Sequence, residues 1–412
     1  MSDSDAAAIP ERSTAWYAGF TALLTVAMAI GTFPQFTLGA LGPFLVDDLG
    51  LSRTRLGSLS TAFFLVAALV SSLVGYLGER LGGRRLLALM FAVAATSAVS
   101  MAIAPSYPLL IVAVGLAGLS IASSNPSTNT LISAHLPSGR RGAVVGIKQS
   151  GVQAGSFVAG AALPALALTI GWRPSLLLIA LVAAGGLAAT ITLLPRQEAR
   201  ASHGPQAVNG SNVVRWLVPY AFFMGAGVSA TTAYLPLYAN QALRLDQATA
   251  GSLLAVIGAV GVASRILWGR VAERRPNVAA PLTVLTAGSL IAIVLVWVAE
   301  YAGAWLVWPA AVAIGATAAA WNAVGMLAIV RETALAGTSR ASGHVLTGFY
   351  AGLLAMPVAF GALVDTTGIY GPSWALTFGC LAIALGITLA WQRTGSPSSP
   401  HATPRPTSPG AS

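Results

Sequence analysis

Lys148 is the only lysine in a chain of 412 residues whose 21 other cationic side chains are all arginine. It stands inside GAVVGIKQSGVQAGSFVAGAALPALAL, Gly142 to Leu168, an apolar run long enough to cross a bilayer. A cation inside a membrane costs roughly 3 kcal/mol or more on insertion scales, so it persists only where it faces a polar cavity, pairs with an anion or snorkels outward. Gln149, Gln153 and Ser156 follow at helical spacing and give the run a polar stripe beside the lysine. Arg265 is the second cation within an apolar run. Lys148 lies seven residues past Arg141 and Arg265 five before Arg270. At 1.5 Å per helical residue each cation is then roughly 7 to 11 Å inside the boundary, a common depth that allows joint capture of one anion. All 12 acidic residues fall in tails, loops or the ends of apolar runs. The two cations therefore have no resident counter-ion, and a bound anion is their natural partner. The same distribution argues against a carboxylate proton relay and against a cationic substrate.

Neutral groups extend this candidate site. Gln35, Asn125, Asn129, Tyr234, Trp321 and Asn322 can supply hydrogen bonds and an aromatic wall. Each also suits a purely structural role between helices. Arg265 is shallow enough to cap helix-end carbonyls, and His344, four residues beyond Arg340, is expected to face a loop. There is no His or Cys cluster for a metal, no acid pair within a span and no phosphate-cradling loop, so no enzyme, metal or cofactor is expected. Cys380 stands alone, which excludes an intrachain disulfide.

The elements that carry these residues follow from composition. With 56% hydrophobic and 8% charged residues the chain cannot clothe a water-soluble globule. Apolar segments at 15–46, 54–77, 85–105, 107–134, 142–170, 172–194, 214–241, 247–271, 279–299, 302–330, 341–366 and 371–392 make twelve membrane spans. Sixteen of the arginines fall on the side of both termini and four on the other, which puts both termini in the cytoplasm. The net charge of +10 is explained by this topology, without nucleic acid as a partner. The lipid bilayer and a small molecule are the partners expected of a monomer in the inner membrane. Residues 1–14 form a cytoplasmic tail, 15–194 and 214–392 two six-helix bundles, 195–213 a polar cytoplasmic linker, and 393–412 a Pro- and Ser-rich tail expected to be disordered.

The two halves repeat. Residues 55–80 lie over 249–274 without a gap, matching Gly57 to Gly251, Gly75 to Gly269, Glu79 to Glu273 and Arg80 to Arg274 at an offset of 194. At an offset of 197, Asn125 matches Asn322, and glycines 146, 151 and 155 match 343, 348 and 352. Two parallel six-helix repeats mark a large class of transporters. Gly75-Tyr-Leu-Gly-Glu-Arg-Leu-Gly-Gly-Arg-Arg85 resembles the signature between the second and third helices of the major facilitator superfamily, with Glu79 where aspartate is usual. Gly269-Arg-Val-Ala-Glu-Arg-Arg275 is its echo. The resemblance covers Ser13 to Gln392 and implies an all-α membrane protein with pseudo-two-fold symmetry and a rocking central cavity. It implies that the first and fourth helices of each half line the cavity, and that the second and fifth form the moving seam. Lys148 and Arg265 would then sit at the seam, and the repeated glycines would pack there.

The expectation is a secondary transporter of a small organic anion, a carboxylate above all, neutralised by Lys148 and Arg265. Gln35, Asn125, Gln149, Gln153, Tyr234, Trp321 and Asn322 complete the expected site. Gly75, Glu79, Arg80, Arg84, Gly269, Glu273 and Arg274 are expected to gate the cytoplasmic ends and to stabilise the outward-facing state. The rival is a proton-coupled exporter of neutral or hydrophobic compounds. The fourth span lacks the early arginine and the fifth lacks the Gly-Pro of such drug antiporters, which weakens that reading.

Overall fold

The computed structural model describes residues 13–136, 138–195, 212–275, 277–332 and 335–394. Twelve of its helical stretches are long and apolar enough to cross a membrane, the number expected from the sequence. The first half contains α1 (Thr14–Ala40), the short α2 (Gly42–Leu49) that extends it, α3 (Arg53–Leu81), α4 (Gly83–Ile103), α5 (Tyr107–His135), α6 (Ser138–Ile170) and α7 (Trp172–Leu193). The second contains α8 (Asn212–Gln241), α9 (Gln247–Glu273), α10 (Ala279–Ala302), α11 (Val307–Ala316), α12 (Trp321–Glu332), α13 (Leu335–Thr367) and α14 (Gly371–Thr394). The segments 1–12, 196–211 and 395–412, which hold most of the expected tails and linker, lie outside the described residues.

These stretches are helical because every backbone N–H and C=O in a bilayer must be satisfied within the protein. Their apolar residues face outward as well as inward. Leu69 is 72% exposed and Leu181 67%, side chains that lipid covers. The repeat governs the packing. In the first half α1 packs on α6, α3 on α5 and α4 on α7; in the second α8 packs on α13, α9 on α11 and α10 on α14. Two pairs close the seam between the halves, α3 with α13 and α6 with α9. Below, the end that bears the 196–211 connection is the linker end, and the opposite one is the far end.

The seam depends on small residues, though not on those expected. A β-carbon on Gly151 would run into the Thr25 carbonyl, and one on Gly352 into the Phe222 carbonyl. Those glycines therefore let α1 and α8 approach within their own halves. Across the seam Gly160 approaches Ala255 N and Gly258 approaches Phe157 N, and two further close approaches are Gly57 on the Pro357 carbonyl and Gly251 on the Pro164 ring. These two are the repeat-matched pair, and they do the same work on the two sides.

The tenth span differs from the continuous helix expected over 302–330. It breaks at residues 317–320, between α11 and α12. The break survives because α9 caps the freed carbonyls. Ser264 Oγ donates to Gly315 O (2.7 Å), Trp268 Nε1 to Ala316 O (2.9 Å) and Arg265 Nε to Ala319 O (2.9 Å). Thr317 Oγ1 also bonds back to Ala313 O (2.6 Å), the backbone competition that bends helices.

Candidate functional site

A cavity of about 110 Å³ lies at mid-depth between the halves. The first and fourth spans of each half line it, and all four seam helices contribute to it. Seven of the expected site residues are in its lining: Gln35, Asn125, Gln149, Gln153, Arg265, Trp321 and Asn322. Lys148 and Tyr234 are not.

Lys148 is fully buried one residue before Gln149, so it points about a quarter-turn away, towards α5. Its Nζ donates to Asn129 Oδ1 (2.6 Å), Thr128 Oγ1 (2.7 Å) and Asn125 Oδ1 (3.4 Å). Gln149 Nε2 meets the same Asn125 oxygen at 3.0 Å. An ammonium has three protons and no lone pair, so three acceptors exhaust it and only oxygens can face it. Tyr234 is buried likewise, its hydroxyl aimed at the carbonyls of Pro357 (2.6 Å) and Arg53 (2.8 Å), its ring stacked on Phe360.

Arg265 is the one charged residue in the cavity lining among the described residues. Besides capping Ala319, its Nη1 donates to Gln149 O (3.0 Å), which ties α9 to α6 across the seam. Its Nη2 has no partner among the described residues. Most of the other polar lining groups are engaged. Thr32, Ser124, Thr231 and Thr232 donate to carbonyls of their own helices. Gln35 donates to Thr232 Oγ1 (3.2 Å) and Gln153 to Ala319 O (3.4 Å). Asn322, at the start of α12, and the Tyr350 hydroxyl have no hydrogen-bond partner among the described residues.

The expected gate at the linker end is only partly visible. Gly75 and Glu79 belong to α3, but the side chains of 75–79 fall outside the described residues. Arg80, Glu273 and Arg274 are exposed, and a β-carbon on Gly269 would meet open space. Arg84 works inside its own half, Nη2 donating to Ile191 O (2.8 Å).

The far end carries a network that the sequence reading passed over. The Asp365 carboxylate of α13 accepts from the first amides of α3, Arg53 N (3.1 Å) and Thr54 N (2.8 Å), and from Thr54 Oγ1 (2.6 Å). Arg53 Nη1 approaches Asp365 at 3.9 Å, and its Nε donates to Gln241 Oε1 (3.1 Å). Gln247 Nε2 donates to Asp47 Oδ2 (2.7 Å) nearby. Asp365 thus caps a helix of the opposite half and holds the far end shut. The available signal was that Arg53 and Asp365 are among few charges on the side where charge is scarce.

The sequence profile described as Major Facilitator Superfamily matches residues 19–339. The chain belongs to this superfamily. As a member of the Major Facilitator Superfamily the protein is a transporter, not an enzyme, and it passes through a membrane many times. Among curated proteins it is similar to a hexuronate transporter of Bacillus subtilis, 25% identical over 39% of this chain and 38% of that protein, so the chain spans little more than a third of that relative. Longer matches are the "Probable sulfoacetate transporter SauU" of Cupriavidus necator, 24% identical over 83% of this chain and 86% of that protein, and a chloramphenicol resistance protein of Streptomyces lividans, 26% identical over 86% and 91%. Among solved structures it is similar to a bacterial homologue of the human lysosomal transporter Spinster in an inward-facing and occupied conformation. That match has a TM-score of 0.76 at 16% identity and covers 93% of this chain and 98% of that one.

Proposed function

We propose that this protein is a secondary active transporter that carries a small organic anion, a carboxylate, across the inner membrane by alternating access. One observation carries the reading. Among the described residues Arg265 is the one charge in the lining of the cavity, it keeps an unpartnered nitrogen, and no acid accompanies it there. A buried cation without a counter-ion is stabilised by an incoming anion, and a guanidinium matches a carboxylate in two-point geometry. The start of α12 opens into the same cavity at Trp321 and Asn322, and a helix N-terminus adds positive potential. Two of the relatives carry names of anion transporters, hexuronate and sulfoacetate.

Lys148 acts in this reading from behind the cavity wall, through Asn125, and the arginine meets the substrate. The charge bias along the chain puts the linker end and both termini in the cytoplasm. The network around Asp365 then closes the external side. Glu79, Arg80, Glu273 and Arg274 would close the cytoplasmic side in the opposite state.

The test is uptake into proteoliposomes. Arg265→Gln should lower kcat/KM for a transported carboxylate by about 100-fold, the scale of a charge-assisted contact of ~3 kcal/mol. Arg265→Lys should retain a fraction of that activity. An Arg265→Gln protein that transports the carboxylate like the parent would show that Arg265 merely caps the broken helix and is not the charge partner.

A further inference from the structure

The repeat places two helices in the same register on opposite walls of the cavity, and their chemistry is opposite. At an offset of 197 residues, Gln149, Val152 and Gln153 of α6 correspond to Leu346, Phe349 and Tyr350 of α13. All six line the cavity. The α6 wall is amide-rich and leads to Arg265. The α13 wall is apolar and aromatic, and it continues in further rings. Phe349 lies 5.0 Å from Trp321 and 6.2 Å from Tyr350 between ring centroids, and Phe64 stacks on Tyr350 at 6.4 Å.

The polarity of the α6 wall is fixed by Lys148. Because the ammonium can only donate, the Asn125 group that faces it is the amide oxygen. The Nδ2 protons of Asn125 are consequently turned away from the lysine, and Asn125 itself lines the cavity. Gln149 connects this amide to Arg265, its side chain on Asn125 and its carbonyl on the guanidinium. The free donors on this side are the remaining N–H groups of Arg265 and the Asn125 amide, beside the amide oxygens of Gln149 and Gln153, whose N–H groups are engaged. A carboxylate has two acceptor oxygens and no donor, which fits them.

Charge and volume narrow the ligand further. Among the described residues one cation and no acid line the cavity, so one carboxylate is neutralised and a second is left buried and unpaired. An apolar cavity of about 150 Å³ takes up benzene, so 110 Å³ is on the scale of a single ring. Sugar-like hydroxyls would need many free partners. The threonine and serine hydroxyls of the lining already donate to their own helices, which leaves as further partners the Asn322 and Tyr350 side chains and the amide oxygens of the glutamines.

We infer that the cavity is built for a monocarboxylate on a flat, apolar body of about one ring, its carboxylate held by Arg265 and the Asn125 amide and its ring against the aromatic wall of α12 and α13. This rests on the anion reading and adds to it the shape and valence of the cargo.

The experiment is equilibrium binding to the purified full-length protein, by calorimetry, with benzoate, benzamide, phthalate, succinate and galacturonate. Benzoate should bind at least tenfold more tightly than each of the others. Equal binding of benzoate and galacturonate, or of benzoate and succinate, would overturn the inference and leave the anion reading standing. Equal binding of benzoate and benzamide would overturn both. Phe349→Leu, chosen because it keeps an apolar side chain in a packed site, should narrow the benzoate-to-succinate ratio severalfold at an unchanged Tm of the unliganded protein. An unchanged ratio at unchanged Tm would remove the aromatic wall from the argument.

Discussion

α6 and α13 hold equivalent places in the two halves, each packing on the first helix of its own half and on a seam partner from the other. Both approach that partner by the same device, a glycine facing a proline residue, Gly251 with Pro164 and Gly57 with Pro357. Their cavity-lining side chains have diverged. At the position of Lys148 in α6, α13 has the fully buried Val345. Where α6 carries no charge at its far end, α13 carries Asp365 and binds the start of α3. The backbone pattern of the seam is thus kept twice, while polar chemistry is divided: cavity-lining amides at mid-depth on the α6 side, a capping carboxylate at the far end on the α13 side. A symmetric frame with asymmetric side chains yields one cargo orientation and one latch.

The sharpest way to break this division is to make α6 resemble α13. Lys148→Met leaves the Asn125 oxygen without its cationic partner and the amide free to rotate. KM for a transported carboxylate should rise about tenfold, the scale of one hydrogen bond to a charged group. Lys148→Arg should recover part of the loss. Transport of the parent type by Lys148→Met would mean that the lysine does not orient the wall, and proteoliposome uptake decides it.

A smaller effect is expected from α13. Asp365→Asn keeps the shape of the cap but removes its charge. Because Arg53 and Asp365 remain partly exposed, at 39% and 22% for their side chains, the ion pair is screened and the loss is about 1 kcal/mol. Labelling of a cysteine placed at Gln35 should become severalfold faster from the far side, while substrate affinity in the closed state is unchanged. Unchanged labelling would show that the glycine contacts alone hold that end.

The smallest effect concerns α9, the partner of α6. Asp246 caps its first turn, accepting from Thr249 N at 2.9 Å, and hydrogen bonds from the Thr249 side chain and then its backbone hold the carboxyl below its usual range. A depressed carboxyl stabilises the fold at pH above the ordinary carboxylate value of 3.8, and the contribution is lost as pH falls through the lowered value. Asp246→Ala should lower Tm slightly at neutral pH and leave it unchanged in strong acid. A Tm deficit that persists in acid would refute the assignment of the effect to the charged cap.

The sequence carried the twelve spans because an apolar run of twenty residues has few other uses, and the repeat carried the symmetry. Arg265, Gln149 and Gln153 were legible as cavity residues since polar side chains deep in a span need a polar surrounding. The direction of Lys148 was not legible. A helix rotates about 100° per residue, so neighbours 148 and 149 face different environments, and the position of α5 decides which is wet. The interruption at 317–320 was hidden for a related reason. Thr317 and the alanines around it would suit a continuous helix, and the caps that permit the break come from Ser264, Arg265 and Trp268, some fifty residues earlier. The far-end network escaped because its partners, Arg53 and Asp365, are 312 residues apart.

The cap of α3 by Asp365 has a consequence for the cost of the transport cycle. When the halves part at the far end, the amides of Arg53 and Thr54 and the carboxylate all move into water. Each exchanges a protein partner for a hydrated one, so little is left unsatisfied on either side of the step. A purely apolar seal would have to wet its whole contact area to open. A hydrated polar clasp lets the two access states lie close in energy, so a modest ligand-binding energy is enough to tip the balance between them.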